Sequence, residues 1–324
     1  MTKTSRKPMN GVIAVTGATG FIGSHLLSRL DAEQIPTRAL IRQKRNRTPD
    51  VPSSTEIVSG SLQDHAAMVR LLTGAQRCVH LAGATTAVNV SGYHAANVIG
   101  TYNMAACAAA AGVEHFVYVS SQAARAPSLS NYAASKALGE DALDAFKAKM
   151  KITIIRPPAV IGAGDPMLQP LLDLIRKGWL PAPKDPKGVT RSVAIISADD
   201  LVSHIVDALR SDAAEPQCLE PCSVASTNWT EIASAASNVL GRKVRLVRIP
   251  STLMKAAAIC ADAISKLTRR SFSLSQGKVR ELLTVDWTYD HPVRDAMTLQ
   301  EVFEACLNED QNKDPIKPGK KIDR

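Results

Sequence analysis

Aromatic residues make up only 4% of the chain, and its six cysteines (78, 107, 218, 222, 260 and 306) include no Cys-x-x-C pair. Among the seven histidines there is no His-Glu-x-x-His. These absences speak against a disulfide frame and a zinc site, so no metal is expected and a reducing cytosol is. No run of about 18 apolar residues occurs, which excludes a simple transmembrane helix. The first ten residues are basic, but they lead directly into an apolar strand pattern with no signal-peptide core or small-residue cleavage site, a second pointer to the cytoplasm. A net charge of +9 raises the question of nucleic acid. Seven of the positive charges fall in two local clusters, Lys3, Arg6 and Lys7, then Arg42, Lys44, Arg45 and Arg47. With no basic stripe interleaved with aromatics, a nucleic-acid partner is not expected, and an anionic membrane surface fits the charge better.

What the chain does have is a glycine-rich junction. Gly11 to Val15 read as a buried parallel strand, and Phe21, Ile22, Leu26, Leu27 and Leu30 repeat at helical spacing behind it. Between them lie Gly17, Gly20 and Gly23. The first allows a tight turn, the second a close backbone approach to a pyrophosphate, and the third close packing of helix on strand, with helix-start amides facing the phosphates. Strand and helix patterns then alternate: strands at 37–42, 56–59, 77–82, 115–120 and 151–156, helices at 64–73, 95–111 and 132–148. This predicts an α/β fold, a Rossmann-type doubly wound parallel sheet over 11–160. Beyond Arg156-Pro157-Pro158, prolines cluster at 166, 170, 181, 183 and 186, and helices near 199–210, 229–240, 251–267, 275–283 and 298–307 no longer alternate regularly with strands. A smaller, partly helical substrate lobe is expected over 161–307, interleaved with the first domain, with a flexible basic start (1–10) and a disordered tail (308–324).

Tyr132 and Lys136 lie four apart on a predicted helix and so share one face. A phenol with its usual pKa of about 10 is a poor proton donor or acceptor at neutral pH, and a neighbouring ammonium favours its ionised form. The strand at 115–119 ends in Ser120-Ser121, at the carboxyl edge of the sheet where such folds bind ligands. With these residues in view the chain resembles the extended short-chain dehydrogenase/reductase family up to about residue 307. The matching segments are Thr16 to Gly23, His80-Leu81-Ala82-Gly83, Asn97 to Thr101, Val119-Ser120-Ser121, Tyr132 with Lys136, and Arg156-Pro157. The resemblance implies a catalytic triad: Tyr132 as acid/base, Lys136 as its tuner and ribose ligand, and Ser121 as hydrogen-bond donor to the reacting oxygen. It implies a nicotinamide dinucleotide held by Gly17, Thr19, Gly20, Phe21, Ile22, Gly23, Arg42, Ser61, Leu62, Leu81, Ala82, Gly83, Ser120, Tyr132, Lys136 and Pro157.

Relatives that bind NAD(H) carry an acid at the end of the second strand, where this chain has Ile41 followed by Arg42, with Lys44 and Arg45 close behind. Cations there would pair with a 2′-phosphate, which favours NADP(H) and leaves NAD(H) open. Ser61 stands where many relatives have an acid that touches adenine. The Asp-Glu pair of nucleotide-sugar dehydratases is missing after Ser121, where Gln122-Ala123-Ala124 follow. A sugar 4-epimerase and a non-catalytic nucleotide-binding subunit remain as alternatives. The preferred reading is a reductase that interconverts a ketone and a secondary alcohol on a hydrophobic, lipid-like substrate, because Leu253, Ala257, Cys260, Ile264 and Leu267 form one apolar face ending in Lys266, Arg269 and Arg270. That helix would admit an oily substrate or rest on a membrane, or else lie in the core or a subunit contact. Arg125, Gln122 and residues 84–90 are expected to line the pocket. A homodimer is expected through helices 95–111 and 132–148, by analogy with relatives.

Overall fold

The computed structural model describes residues 9, 11–42, 50–185, 189–211, 216–269, 274–284 and 286–308. The expected flexible start apart from Met9, the tail beyond Asn308, and Lys44, Arg45, Arg47 and Arg270 lie outside the described residues. The strands are β1 (Val12–Thr16), β2 (Thr37–Ile41), β3 (Glu56–Ser59), β4 (Ala75–His80), β5 (His115–Val119), β6 (Lys151–Ile155), β7 (Ala159–Ile161), β8 (Trp179–Pro183), β9 (Ser192–Ser197), β10 (Gln217–Leu219), β11 (Val224–Thr227), β12 (Arg245–Ile249) and β13 (Asp286–Trp287). The helices are α1 (Phe21–Ala32), α2 (His65–Leu72), α3 (Val90–His94), α4 (Gly100–Ala110), α5 (Asn131–Asp141), α6 (Gln169–Arg176), α7 (Ala198–Arg210), α8 (Trp229–Leu240), α9 (Ser251–Thr268), α10 (Gln276–Leu283) and α11 (Leu299–Asn308).

Seven parallel strands form the main sheet in the order β10-β6-β5-β4-β1-β2-β3. The chain works outward from β1 to β3, then returns to the other side of β1 with β4. A crevice therefore opens at the carboxyl ends of β1 and β4, the switch point where ligands of doubly wound sheets bind. The apolar runs of the central strands follow from burial on both faces. Met68, Leu71, Met104 and Phe116 belong to the core on the α2/α4 side, and Ile13, Leu26, Leu30 and Ile205 to the core on the α1/α7 side. Both α7 and β10 come from beyond residue 160, so the chain leaves the sheet after β6 and later rejoins it.

The smaller lobe buries Leu172, Leu180, Ile232, Ala236, Val302 and Phe303 between α6, α8, α11 and β8. Helix α8 is fixed at both ends by its sequence. Asn228 and Glu231 form a reciprocal capping box, and Gly241 closes the helix at φ +60°. Part of the proline cluster lies within regular elements. Pro170 sits in the first turn of α6, where its missing N–H costs nothing, and Pro181 and Pro183 lie in β8, whose sole strand partner among the described residues is β12. A proline tolerated on an open edge looks the same in sequence as one in a loop.

Candidate active site

The turn out of β1 is shaped by contacts that exclude side chains. Gly17 has φ +72°, and a Cβ there would lie 2.7 Å from the backbone of Leu81 and Ala82. A Cβ on Gly23 would sit 2.2 Å from the Gly17 carbonyl oxygen. The Gly20 amide donates to that same oxygen at 2.9 Å, and no side chain caps the start of α1. Bare backbone and the first amides of a helix therefore face a cavity of about 840 Å³, large enough for a dinucleotide's reactive end and a substrate.

Twelve of the residues expected to hold cofactor or catalyse line this one cavity: Gly17, Gly20, Phe21, Ile22, Gly23, Leu81, Gly83, Ser120, Ser121, Tyr132, Lys136 and Pro157. Five do not. Thr19 is exposed in the loop, and Ala82 packs behind Gly17 with its amide 3.3 Å from Thr16 Oγ1. Arg42 is exposed just past β2, the Ser61 hydroxyl accepts from the Gln63 amide, and half-buried Leu62 lies under Gly100. These last three sit at the carboxyl ends of β2 and β3, where the far end of an extended dinucleotide would reach from the glycine loop.

The two serines have different surroundings. The buried Ser120 hydroxyl donates to Glu140, whose carboxylate is held by Arg156 at 2.6 and 3.1 Å. Half-buried Ser121 accepts from the Ala123 amide at 3.2 Å, a bond that leaves its own O–H proton able to donate into the cavity. On α5, Lys136 donates to the Val119 carbonyl at 2.8 Å and lies 4.4 Å from the Tyr118 ring centroid. Burial lowers the Lys136 pKa, while the charges of Tyr132 and Glu140 oppose the shift. It stands one helical turn from Tyr132 on α5, on the same face.

Asn97 is a site residue that sequence reasoning quoted but gave no role. It lies in a π-helical turn (Ala95–Ile99) between α3 and α4, within the span expected as one regular helix. Its carboxamide accepts from the Ala84 amide at 2.7 Å and donates to the Ala84 carbonyl at 2.9 Å and to Ser135 Oγ at 2.8 Å. One side chain thereby locks the cavity loop onto the Tyr132 helix. Thr101 Oγ1 donates to the Asn97 carbonyl, so it accepts from His80 Nε2 at 3.3 Å, leaving His80 Nδ1 to accept from Thr16 at 2.7 Å. Burial, aided by the Lys136 charge, pushes the His80 pKa down to about 3, in keeping with this neutral tautomer.

Residues 84–90 line the cavity as expected. Gln122 and Arg125 do not. Gln122 is buried and donates to the Trp287 carbonyl at 3.0 Å, while Arg125 donates to the Thr288 carbonyl at 3.1 Å and lies over the Tyr289 ring. Both tie the post-serine turn to the segment around β13, a contact between positions more than 160 residues apart that no local pattern announces. The substrate side also takes residues that were given no role, including Tyr93, Met167, Lys278 and Glu281.

Helix α9 is inverted relative to a core helix. Ala258 and Ser265 are its buried residues, and Asp262, Ser265 and Lys266 line the cavity. Leu253 (60% exposed), Ile264 (49%) and Leu267 (86%) face outward with Cys260. This excludes the reading of the stripe as core. No helix among the described residues is long and apolar enough to cross a membrane.

Residues 13–216 match the NAD dependent epimerase/dehydratase family. A ceramide reductase of Caulobacter vibrioides is 39% identical over 283 residues, covering 86% of each chain. An N-acetyl-alpha-D-glucosaminyl-diphospho-ditrans,octacis-undecaprenol 4-epimerase of Escherichia coli O157:H7 is 25% identical over 84% of this chain and 86% of its own. Among solved structures, UDP-glucose 4-epimerase of Thermus thermophilus, a complex with NAD, superposes with TM-score 0.68 at 18% identity, covering 93% of this chain and 99% of that one. That last likeness speaks to the fold, a Rossmann-type parallel sheet flanked by helices.

Proposed function

Because the chain belongs to the NAD-dependent epimerase/dehydratase family and is an NAD(P)-dependent enzyme of the short-chain dehydrogenase/reductase type, we propose that it is an NADP(H)-dependent reductase interconverting a ketone and a secondary alcohol on a lipid-like substrate. The nicotinamide cofactor supplies hydride chemistry when bound. Ser121 and Tyr132 hold the substrate oxygen by hydrogen bonds, Tyr132 exchanges its proton, and Lys136 biases that phenol toward ionisation.

The observation that carries the lipid reading is the charge balance of the substrate side. Among the described residues, and apart from Lys136, the charged residues on the cavity wall are three cations, Lys266, Lys278 and Arg280, and three acids, Asp165, Asp262 and Glu281. A sugar nucleotide brings a diphosphate, which calls for cations in excess. Apolar side chains including Val88, Val160, Met167 and Leu274 line the same cavity and suit an alkyl chain. The similarity to a ceramide reductase supports the same choice. Purified protein should oxidise NADPH when given a long-chain 3-keto lipid. Retention of the cofactor with interconversion of UDP-sugars and no net oxidation would instead favour a 4-epimerase, the reading supported by the undecaprenol-linked relative.

NADP(H) is preferred over NAD(H) because Arg42 stands exposed just past β2 where a 2′-phosphate would be met. For partners, the reading includes a peripheral contact of α9 with an anionic membrane. Its outward face is apolar, Lys255 and Lys266 are exposed on it and Arg269 just past its end, and its one acid, Asp262, is turned inward onto Gln276. A homodimer through the two helices beside the active site is supported by exposed Ile99, Tyr102 and Leu138 on the π turn, α4 and α5.

A further inference from the structure

Helix α10 carries a charged pair that the proposed chemistry does not use. Lys278 Nζ lies 3.1 Å from Glu281 Oε2, and both residues line the cavity. The Glu281 side chain is 8% exposed, whereas that of Lys278 is 55% exposed. This pair is seated on the start of the catalytic helix. Ser130 caps α5 by accepting from the Ala133 amide at 2.8 Å and donates its own proton to Glu281. Arg280 Nε donates to the Leu129 carbonyl at 2.6 Å, and Trp287 Nε1 donates to the Glu281 carbonyl at 2.7 Å. The backbone of Gly277 approaches so closely that a Cβ there would fall 2.7 Å from Ser130 Cβ. Three of these contacts thus fix α10 at Leu129 and Ser130, just upstream of Tyr132, and the Trp287 bond ties it to β13.

Three features define what this pair can bind. An ammonium has three donors, and Glu281 takes one of them. Although burial works against it, Glu281, Tyr132 and Tyr93 raise the Lys278 pKa, so the ammonium stays charged. The partnering carboxylate cancels the net charge, which disfavours a phosphate, while a purely hydrocarbon ligand would strip water from the ammonium and return no acceptor. A neutral group with an acceptor oxygen satisfies both conditions.

Resting on the ketone-reductase reading, we infer that Lys278, fixed by Glu281, forms a polar subsite for an uncharged headgroup next to the reacting ketone, taking the oxygen of an amide or hydroxyl. The substrate class becomes an amphiphilic ketone, with an acceptor-bearing headgroup under α10 and its alkyl chain along the apolar wall. Glu281 is a positioning residue in this scheme.

The test compares two ketones of equal chain length, an N-acyl-2-amino-1-hydroxy-3-ketone and the plain 3-alkanone, on the wild type, Lys278→Met and Lys278→Arg. Lys278→Met should raise KM for the headgroup-bearing ketone about tenfold with little change in kcat, lowering the preference for it over the plain ketone by the same factor, and Lys278→Arg should restore most of that preference. NADPH titration and thermal unfolding of the variants check that the fold and cofactor half are intact. An equal loss on both ketones, or no loss on either, overturns the subsite. Calorimetric binding of a short-chain N-acyl sphinganine to the NADPH-loaded protein separates the two claims. If the wild type reduces neither ketone but binds this ligand in a Lys278-dependent way, the reductase reading falls and the subsite stands. If Lys278→Met binds it as well as wild type does, the subsite falls.

Discussion

The two halves of the cavity are built on different principles. On the cofactor side the shape is set by backbone: one continuous parallel sheet, a turn in which Gly17 and Gly23 have no room for a side chain, and a helix start with no side-chain cap. On the substrate side it is set by side chains brought from afar. Residues 84–90, Asp165, Met167, α9 and α10 are separated along the chain and are joined by bonds such as Thr85 to Met167 and Gln276 to Asp262. A backbone-defined site is rigid and general to its fold, whereas a side-chain-defined site is where one member's substrate choice resides. Asn97 stands between them, holding the loop at Ala84 to the helix of Tyr132.

The largest effect should come from filling the backbone-defined half. Gly23→Ala places a methyl against the Gly17 carbonyl, and we expect a loss of roughly 3 kcal/mol of stability together with dinucleotide binding, read by thermal melts and NADPH titration. A variant that still binds NADPH normally would break the contrast between the halves.

Acid should act next most strongly, and also on the sheet half. Burial depresses both His80 and His115 from the ordinary 6.5 to about 3. The unfolded chain takes up these protons first, so the stability contributed by the neutral rings is full above pH 6.5 and is lost as pH falls from there toward 3. The slope should approach about 1.4 kcal/mol per pH unit for each ring, measured by urea unfolding between pH 7 and 5. His115→Gln, which keeps an amide able to bond Thr153, should flatten that slope by about half. An unchanged slope would mean that some other group controls acid sensitivity.

A smaller change tests the cofactor preference. Arg42→Ala should weaken NADPH about tenfold, close to 1.4 kcal/mol, while NADH shifts by less than about twofold. Equal effects on the two cofactors would reduce Arg42 to a solvated loop charge. The smallest effect on stability belongs to the outward face of α9. Ile264→Gln with Leu267→Gln should alter unfolding by less than about 0.5 kcal/mol per site, since both are exposed, yet abolish co-sedimentation with vesicles containing phosphatidylglycerol. Wild-type protein that ignores such vesicles would leave that face to a subunit contact.

This division also accounts for what could be read in advance. Gly17, Gly20 and Gly23 with flanking apolar runs, and Tyr132 four before Lys136, are local patterns whose spacing carries their geometry, and all of them meet at one cavity. The strand expected at 37–42 was legible from its buried Ala39-Leu40-Ile41 run, whereas the one at 56–59 forms the sheet edge and buries only Val58. Strand β8 was not, because Pro181 and Pro183 signal a break and only the open edge of a two-stranded sheet permits them. The π turn at 95–99 hides inside an ordinary helical pattern, although a buried Asn97 among alanines was a usable hint. Gln122 and Arg125 were misplaced because neighbourhood to Ser121 in sequence said nothing about the segment around β13 that captures them. Lys278 and Glu281 drew no reading from the sequence, since only the fold sets them on the cavity that Tyr132 also lines.

Whether the two halves meet in a reduction is best measured by isotope transfer. Wild type supplied with NADPH deuterated at the nicotinamide C4, in separate reactions with each C4 epimer, and a long-chain N-acyl 3-ketone should give an alcohol one mass unit heavier from one epimer, with Tyr132→Phe slower by about 10²- to 10⁴-fold though still cofactor-bound. Unlabelled product from both epimers, or label that remains on the bound cofactor while a UDP-sugar is interconverted, would contradict the account.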